Sequence, residues 1–542
     1  MPFQGFTMPP PSLGLDLVSP IDNMEPAAAL ELVNVFPGAT APTVRLGYQE
    51  FANLASASGG TASQINFMHE FPLPDGTAQL IAAQTTQLFS VSSTGTITNI
   101  SKVGGYTSGN WNKEGFSNRL YLANSSGADV PQVYNGSGLA ADIVVASGGP
   151  SSGLAKLCNV SSYRLRLYFT EVNSMLMWYD QTEKAVFTAG TEVLKSYDFS
   201  YVMRRGGYLL FTGSYTNIRG VSTQDLFMAV SSEGEVVLYS GYSPDDTAWE
   251  LVAHFIIGKP LGPRAFVRIN QDIWIITQQG IVPVSALFEL DPQQAVTTVS
   301  RTINPLITET AALLSFSTLW TGFFWPSGRR VYVTLPSSTG TAKFLVYSID
   351  SKAWTTFQLY ADQHAIASGK FLDLPFYGST TGMIYKGETG YADAKPSSGD
   401  GQSIAFSGRT AFSFYGSRSN FKQFADIRPI LRGKRGLTLN IGIDTDFKRQ
   451  PTVTSVSTTA GVYTPWGSPW GVAPGTTLPI PPYTPVPAVT APAWSSELEY
   501  IFDRYAAKGQ GHCGAVRFGG AIRGSSLQFF GFEIRYDLGG QV

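Results

Sequence analysis

Residues that could do chemistry are few in this chain and widely spaced. Its four histidines form none of the HExxH or HxH pairs that hold a catalytic zinc ion, and no Gly-Lys dipeptide precedes Ser or Thr as in a phosphate-binding loop. Residues 149–153 match the GxSxG pattern of a nucleophile elbow, which requires a strand before the serine and a helix after it. Here the pattern lies in a Gly/Ser-rich stretch between two predicted strand units, and we interpret it as a loop.

Carboxylates near two tryptophans are the next candidates. Asp245, Asp246 and Asp350 each precede a tryptophan by a few residues in predicted hairpin turns. Paired carboxylates hydrolyse glycosides, but this spacing departs from the Asp-box pattern of sialidases, and turn aspartates normally bond nearby backbone amides. His512 and Cys513 are adjacent, a placement in which the two side chains rarely face each other as a nucleophilic couple. We therefore predict no catalytic residue, no metal site and no cofactor, and expect that the protein is not an enzyme.

A basic cluster is the strongest local charge signal. Between residues 418 and 435 the chain carries six basic residues and a single acidic residue, Asp426. Such clusters attract phosphate backbones, but we favour a solvated hairpin or a set of salt bridges between subunits. Three tryptophans in a Pro/Gly/Thr-rich tract form a second candidate surface, because exposed Trp is frequent in recognition. The predicted partner contacts are Arg418, Lys422, Arg428, Arg432, Lys434 and Arg435, together with Trp466, Trp470 and Trp494.

Composition limits the class of protein. Charged residues make up 14% of the chain and aromatic residues 13%, the formal net charge is −2, and there are 56 Gly and 33 Pro. These values are typical of many short strands joined by tight turns, and of a surface that becomes buried in an assembly. Two cysteines exclude a disulfide framework, and no apolar run reaches the roughly 18–20 residues of a membrane span. The first basic residue is Arg45, so the charged region of a secretory signal is absent, and we expect a protein made in a cytoplasm and kept there or packaged.

A strand-hairpin pattern recurs along the chain and predicts its architecture. The clearest copies end near Tyr239 and Tyr347, each followed by a turn and an Ala-Trp pair. Weaker copies bring the set to seven, and successive copies lie 45, 45, 60, 44, 64 and 38 residues apart, ending at Phe89, Tyr134, Tyr179, Tyr239, Pro283, Tyr347 and Tyr385. Repeats of about 40–50 residues built from strands indicate a β-propeller. We predict an all-β fold: a β-propeller of six or seven blades with insertions in two of them, an additional C-terminal β domain and an extended N-terminal arm.

Three parts of the chain are predicted. Residues 1–45 are Pro-rich and form the extended arm, within which residues 27–32 have a composition suited to one or two helical turns. Residues 46–400 hold the propeller. Residues 401–542 form the C-terminal β domain, in which apolar and polar residues alternate over 437–443 and 530–536 as in half-buried strands. The Pro-rich tract 463–494 is predicted as a loop inserted between strands, either a flexible surface loop or a docking or gating loop.

Three stretches carry a family resemblance. The first is the N-terminal set Gly14, Leu15, Asp16, Ser19, Pro20, Met24, Glu25, Pro26, Asn34, Pro37, Arg45 and Gly47. The second extends from Gly-Val-Ser-Thr-Gln-Asp at 220–225 to Gly-Ile-Val-Pro-Val-Ser at 280–285, and the third is Phe-Gly-Phe-Glu-Ile-Arg-Tyr at 530–536 with Gly539 and Gly540. Together they resemble the tail nozzle proteins of short-tailed bacteriophages, also called tail hub or tail tubular proteins.

The resemblance implies a structural protein of the virion, located in the phage tail and assembled in the host cytoplasm. In that family a homohexamer extends the DNA channel below the portal and the adaptor, or head-to-tail connector, and supports tail fibres or spikes during genome ejection. The expected partners are further copies of the chain, the adaptor, fibres or spikes, double-stranded DNA in the channel and a host surface. Because phosphate contacts would slow sliding DNA, we expect acidic or neutral residues at the lumen and residues 418–435 against protein partners.

Two other functions stay open from the sequence. A glycan-binding or glycan-degrading propeller protein of a phage tail would place clustered carboxylates and an arginine triad at one face of the disc. A monomeric scaffold for protein partners would need more surface charge than this composition supplies.

Overall fold

The N-terminal arm is extended and contributes strands to sheets formed by distant parts of the chain. The described residues of this computed structural model are 4–38, 40–57, 59–219, 222–288, 298–337, 343–360, 365–396, 398–434, 437–450, 454–457 and 498–541. The first strands are β1 (Gln4–Met8), β2 (Gly14–Leu15), β3 (Ala28–Val33), β4 (Val35–Phe36), β5 (Thr43–Val44) and β6 (Tyr48–Asn53). The prediction of helical turns over residues 27–32 is wrong, because β3 pairs along both of its edges and is held as a strand.

Seven blades follow one another along the chain and form a propeller; within the described residues five are separate four-stranded sheets, one is a three-stranded sheet, and one consists of four strands of a larger sheet. Blade 1 contains β7 (Phe67–Pro72), β8 (Ala78–Ala83), β9 (Leu88–Val91) and β10 (Ile97–Asn99), and blade 2 contains β11 (Trp111–Phe116), β12 (Arg119–Asn124), β13 (Gln132–Tyr134) and β14 (Ala141–Asp142). Blade 3 contains β15 (Leu157–Tyr163), β16 (Arg166–Glu171), β17 (Leu176–Asp180) and β18 (Leu194–Asp198), and blade 4 contains β19 (Leu209–Arg219), β20 (Ser222–Ser231), β21 (Glu235–Ser240) and β22 (Glu250–Ile256). Blade 5 contains β23 (Phe266–Ile269), β24 (Asp272–Thr277) and β25 (Gly280–Pro283), and blade 6 contains β26 (Gly322–Trp325), β27 (Arg330–Leu335), β28 (Lys343–Ser348) and β29 (Ala353–Phe357). Blade 7 contains β30 (Ala365–Phe371), β31 (Leu374–Ser379) and β32 (Met383–Gly387), with β6 as its fourth strand.

The propeller prediction is confirmed, and each of the seven repeat positions lies in the third strand of its blade. The longest interval, between Pro283 and Tyr347, contains the two α-helices of the described residues, α1 (Val284–Leu287) and α2 (Asn304–Leu313). Single turns of 3-10 helix occupy Leu54–Ser56, Leu154–Lys156, Phe199–Tyr201 and Arg301–Ile303. Within the part of the chain that the structure describes, none of the helices has the length and apolar character needed to cross a membrane.

Apolar side chains of a blade alternate between its two neighbours. In β12, Leu120 and Leu122 pack toward blade 1, whereas Tyr121 and Ala123 pack toward blade 3. Because successive side chains of a strand point to opposite faces, a blade that is covered on both sides requires apolar residues at consecutive positions. The cores of the propeller therefore lie between blades, and the ring is stable only when it is closed.

The chain closes the ring with a strand from its N-terminal region. β6 runs antiparallel to β32, from Tyr48 opposite Gly387 to Asn53 opposite Met383. Just before β6, a Cβ atom on Gly47 would lie 1.9 Å from the carbonyl oxygen of Ala392, so only glycine fits there. Closure thus depends on close backbone contact as well as on strand pairing.

A two-sheet sandwich follows the propeller. Its strands are β33 (Ile404–Thr410), β34 (Asn420–Gly433), β35 (Thr438–Thr445), β36 (Thr454–Ser457), β37 (Glu499–Ile501), β38 (Tyr505–Gly511), β39 (Gly514–Ile522) and β40 (Leu527–Gln541). One sheet has the order β37-β34-β40-β5-β4, with β1 on β40 and β38 on β34, and the other contains β33, β39, β35 and β36. Leu439, Ile441 and Ile443 are buried in the core between the sheets while Thr438 and Asn440 are exposed, which confirms the predicted alternation.

β3 joins the propeller to the sandwich. On one edge it pairs parallel with β29 of blade 6, and on the other it pairs antiparallel with β33. Side chains reinforce the seam: the Thr355 hydroxyl donates to the carbonyl of Val35 at 2.8 Å, and the Asn34 amide donates to the carbonyl of Ala405 at 2.7 Å. Blade 6 and one sheet of the sandwich are therefore a single continuous ten-stranded sheet.

A β-bulge changes the predicted alternation in β40. The pairing with β34 shifts between Ile430 opposite Gly531 and Leu431 opposite Phe529, so Phe530 has no opposite partner. As a result Phe529 is buried and Phe530 is partly exposed, whereas Phe532 and Ile534 face the core as expected. The expected alternation is therefore wrong at Phe530, because a bulge inserts one extra residue and reverses the side chains beyond it.

Candidate functional site

The first strands of six blades surround a cavity of about 360 Å³ at the centre of the propeller. We call it the central cavity. Its wall combines apolar side chains, including Trp111, Phe266 and Phe323, with a group of charged ones. The ionisable residues of the wall are His69, Glu70, Lys113, Glu114, Arg264, Arg268 and Lys370.

Both carboxylates of the central cavity have a cationic partner. Glu70 lies 3.1 Å from the Nζ atom of Lys370, and Glu114 lies 3.4 Å from the guanidinium of Arg268. The Ser162 hydroxyl also donates to Glu114 at 2.5 Å. A glycosidase needs one carboxyl group free to donate a proton and another free to act as base or nucleophile. Carboxylates held in ion pairs do not meet that requirement.

The side chains of Lys113 and His69 are joined by a hydrogen bond between two nitrogen atoms. The Nζ atom of Lys113 lies 2.8 Å from Nδ1 of His69. Burial, with the charges of Lys113 and Lys370, holds the pKa of His69 well below its usual value, so the ring is neutral and accepts a hydrogen bond from the ammonium. Burial and the nearby Arg268 guanidinium lower the pKa of Lys113 to about 8, so Lys113 is still mainly charged at neutral pH.

Arg264 is buried in the wall and bonded only to neutral groups. It donates to the carbonyl oxygens of Thr318 at 2.9 Å and Asn66 at 3.0 Å, and to the side-chain oxygen of Asn110 at 3.3 Å. Burial lowers its pKa to about 10. Among the described residues, neither Arg264 nor Lys113 has a carboxylate within salt-bridge distance.

A second candidate lies on the sandwich. Tyr500 and Phe502 stack with ring centroids 6.0 Å apart, and Phe530, freed by the bulge, lies 5.6 Å from Tyr500. Arg428 lies over Phe502 and Arg432 over Tyr500, at 5.1 Å and 5.9 Å from the ring centroids. Tyr500 is 51% exposed and Phe502 44% exposed. We call these five residues the aromatic–arginine surface.

The predicted basic cluster is divided among several environments. Arg418 lies 3.6 Å from the carboxylate of Asp22, at the end of β34 away from Arg432. Lys422 is fully buried, and its Nζ atom donates to three carbonyl oxygens of the same chain, so it presents no charge to a partner. Arg428 pairs with Glu533 at 3.1 Å. Lys434 is exposed, whereas Arg435 and the tract with Trp466, Trp470 and Trp494 lie outside the described residues.

The other sequence candidates have structural surroundings. Residues 149–153 lie in a loop before a 3-10 turn rather than before an α-helix. Asp246 accepts from the backbone amides of Tyr242 and Ala248, and Asp245 pairs with Lys195 at 3.0 Å. The Cys513 side chain is buried, which raises the pKa of its thiol and makes it unreactive. Within the described ranges no three His, Cys, Asp or Glu side chains are grouped as metal ligands.

The central cavity was missed because no single residue in it is unusual. A signal was nevertheless present in the repeat. His69 and Glu70 stand 44 residues before Lys113 and Glu114, so equivalent positions of the first strands of blades 1 and 2 both carry ionisable pairs. Polar residues on the innermost strand of successive blades point to a lined channel.

No model of a known protein family matches the sequence, and no curated protein matches it. Among solved structures, the chain is similar to virginiamycin B lyase from Staphylococcus aureus, with a TM-score of 0.40, 11% identity, and coverage of 62% of this chain and 98% of that one. It is also similar to BBS1N solved in complex with ARL6DN (TM-score 0.39, 12% identity, 64% and 98% coverage). A third similar structure is YCF48 from Cyanidioschyzon merolae (TM-score 0.35, 11% identity, 60% and 96% coverage). TM-scores this low carry no information on function, and the propeller assignment follows from the strand topology.

Proposed function

We propose that this chain is a virion structural protein, the subunit of a homohexameric tail nozzle that extends the DNA channel of a short-tailed phage. The observation that carries the proposal is the aromatic–arginine surface on a sandwich that shares a sheet with the propeller. The resemblance of three sequence stretches to tail nozzle proteins supplies the family.

The composition of this surface favours contact with a protein. Tyr, Phe and Arg are enriched at the centres of protein interfaces, where a rigid ring fills a pocket and the guanidinium bonds to carbonyls or carboxylates. Tyr500 and Phe502 are held in place by stacking and by Arg428, so little conformational entropy is lost on binding. We assign a neighbouring copy of the chain as the occupant.

The ten-stranded sheet that blade 6 shares with the sandwich is suited to a subunit that must resist deformation. Because β3 connects blade 6 with the sandwich through backbone hydrogen bonds on both edges, the two parts do not swing on a flexible linker. A ring of such subunits would keep a fixed bore for double-stranded DNA. In this proposal the adaptor and the fibres or spikes bind other faces of the ring, in the virion, and the protein has no enzymatic role.

The mass of the full chain in solution tests the proposal. We expect light scattering to give a species near six times the 58.5 kDa monomer, and negative-stain images to show six-fold rings. A six-fold map should also place acidic or neutral side chains at the lumen. A stable monomer at high protein concentration, absent from phage particles, would contradict the proposal, and a glycan-binding screen would then test the alternative.

A further inference from the structure

We propose that the central cavity is a binding site for a small organic acid, whose carboxylate or phosphate oxygens are held by Lys113. This site is separate from the aromatic–arginine surface and does not depend on the assembly of the chain.

The wall of the central cavity carries more positive than negative charge, which favours binding of an anion. Four cations, Lys113, Arg264, Arg268 and Lys370, face two carboxylates. Both carboxylates are already taken, by Arg268 and by Lys370. Lys113 and Arg264 are left without a counter-charge among the described residues. Arg264 is buried, where a positive charge is costly unless it is compensated, whereas Lys113 is exposed and can contact an oxyanion that enters the cavity.

The hydrogen bonds of Lys113 leave room for a ligand. An ammonium group has three N–H donors, and the described contact of Lys113 uses one of them, toward His69. Because His69 is neutral, it orients the ammonium without neutralising it. Two donors remain for the oxygens of an acid, in charge-assisted hydrogen bonds of the stronger kind.

The volume and the apolar part of the wall limit the size of the ligand. A cavity of about 360 Å³ is at the small end of the range for ligand pockets, roughly 300–1,000 Å³. It accommodates one molecule of about monosaccharide size rather than a polymer. Phe266 and Phe323, both partly exposed, offer apolar surface to the carbon skeleton of such a molecule.

Isothermal titration calorimetry with matched probes tests the site. The probes are glucuronate, glucose 6-phosphate and glucose, which share a hexose-sized skeleton and differ in the acid group. We expect binding of at least one acid and no measurable binding of glucose. Glucuronate alone would assign a carboxylate ligand, and glucose 6-phosphate alone a phosphate ester. Equal binding of glucose, or no binding of either acid, would overturn the proposal.

Substitutions of Lys113 test whether this residue binds the acid group of the ligand. We expect Lys113→Met to weaken binding about tenfold or more, because one charge-assisted contact is lost, and Lys113→Arg to retain most of the affinity. Lys343→Met is the matched control, since Lys343 is exposed on β28 and lies outside the cavity wall. Unchanged affinity in a folded Lys113→Met variant would overturn the assignment. If that variant does not fold, the comparison of acids with glucose on the wild-type protein still decides.

Discussion

Arg45 and Asp393 form a buried ion pair with two parallel contacts: Nη1 lies 2.6 Å from Oδ1, and Nη2 lies 2.6 Å from Oδ2. Both side chains are 1% exposed. Arg45 also donates to the side-chain oxygen of Asn34 at 3.0 Å and lies over the ring of Phe357. The pair connects the last residue of the arm to the segment after blade 7, and so it secures the closing strand of the ring.

Removing one member of this pair is expected to destabilise the protein strongly. Arg45→Met leaves the Asp393 carboxylate buried without a partner, and we expect a loss of about 3–5 kcal/mol in the free energy of unfolding. Urea denaturation followed by tryptophan fluorescence measures it. The control is Arg523→Met, which breaks the exposed pair with Asp400 and should cost at most about 1 kcal/mol. Equal losses in the two variants would contradict this role for Arg45.

The buried Lys422 is expected to be a structural residue rather than a partner contact. Lys422→Met leaves three partly buried carbonyl oxygens, those of Ser417, Asn420 and His512, without this donor. We expect a loss of about 1–3 kcal/mol in the free energy of unfolding, because an unsatisfied buried group costs about 1–3 kcal/mol and water can reach part of these oxygens.

Lys434→Met is the matched variant, at an exposed lysine directly after the end of β34. We expect it to change stability by less than about 0.5 kcal/mol. If Lys422→Met were as stable as Lys434→Met, the buried network would not hold this end of β34.

The aromatic–arginine surface is expected to govern association. Tyr500→Ser with Phe502→Ser removes two stacked rings from the surface, and we expect at least a tenfold weaker association, because interface aromatic residues commonly contribute more than about 1–2 kcal/mol each. Sedimentation at several concentrations measures it. Tyr201→Ser, at a tyrosine in the 3-10 turn after blade 3 that is 82% exposed, is the control and should leave association unchanged. Hexamers of normal stability in the double variant would remove this surface from the interface.

His69 is expected to make stability depend on pH below neutrality. Its pKa in the folded state lies well below the usual 6.5, so the unfolded chain takes up a proton first as the pH falls through about 6.5. The folded state is therefore disfavoured as the pH decreases, by up to about 1.4 kcal/mol per pH unit. His69→Gln keeps a hydrogen-bond acceptor for Lys113 and removes this titration.

The difference in unfolding free energy between wild type and His69→Gln, measured at pH 7.5 and at pH 5.5, checks the expectation. We expect the wild type to lose about 1 kcal/mol more than the variant over this range. Parallel pH profiles would contradict the expectation, because they would mean that the pKa of His69 is the same in the folded and unfolded protein.

The blades could be predicted from the sequence because the residues that determine each blade lie close together along the chain. Strand, turn and strand lie within a few residues in each repeat, and positions such as Tyr134 and Tyr179 recur in the third strand. The role of β3 was not predictable in this way. Its six residues have no distinctive period, and its partners, β29 and β33, lie more than 300 positions further along the chain.

The candidate sites show the same division between local and distant determinants. The basic cluster was visible because its members are adjacent in sequence, yet the fold separates Arg418 from Arg432 and buries Lys422. The central cavity combines Lys113 with Arg264 from three blades away, and only the closed ring brings them to one wall. Phe530 belongs to the aromatic–arginine surface because of a β-bulge. The alternation of residue types in the sequence does not reveal this bulge.

The place of β3 in the ten-stranded sheet has a consequence for synthesis on the ribosome. Roughly 370 residues separate Val33 from its partners in β33, and at about 5–20 residues per second their translation takes roughly 20–75 s. During that interval the edge of β3 that later pairs with β33 is open, which invites pairing with another nascent chain. A polysome that carries many such chains at close spacing favours exchange of this strand between neighbours. A chaperone that shields the first 50 residues would therefore raise the yield of correctly folded subunits more than one that acts on the finished chain.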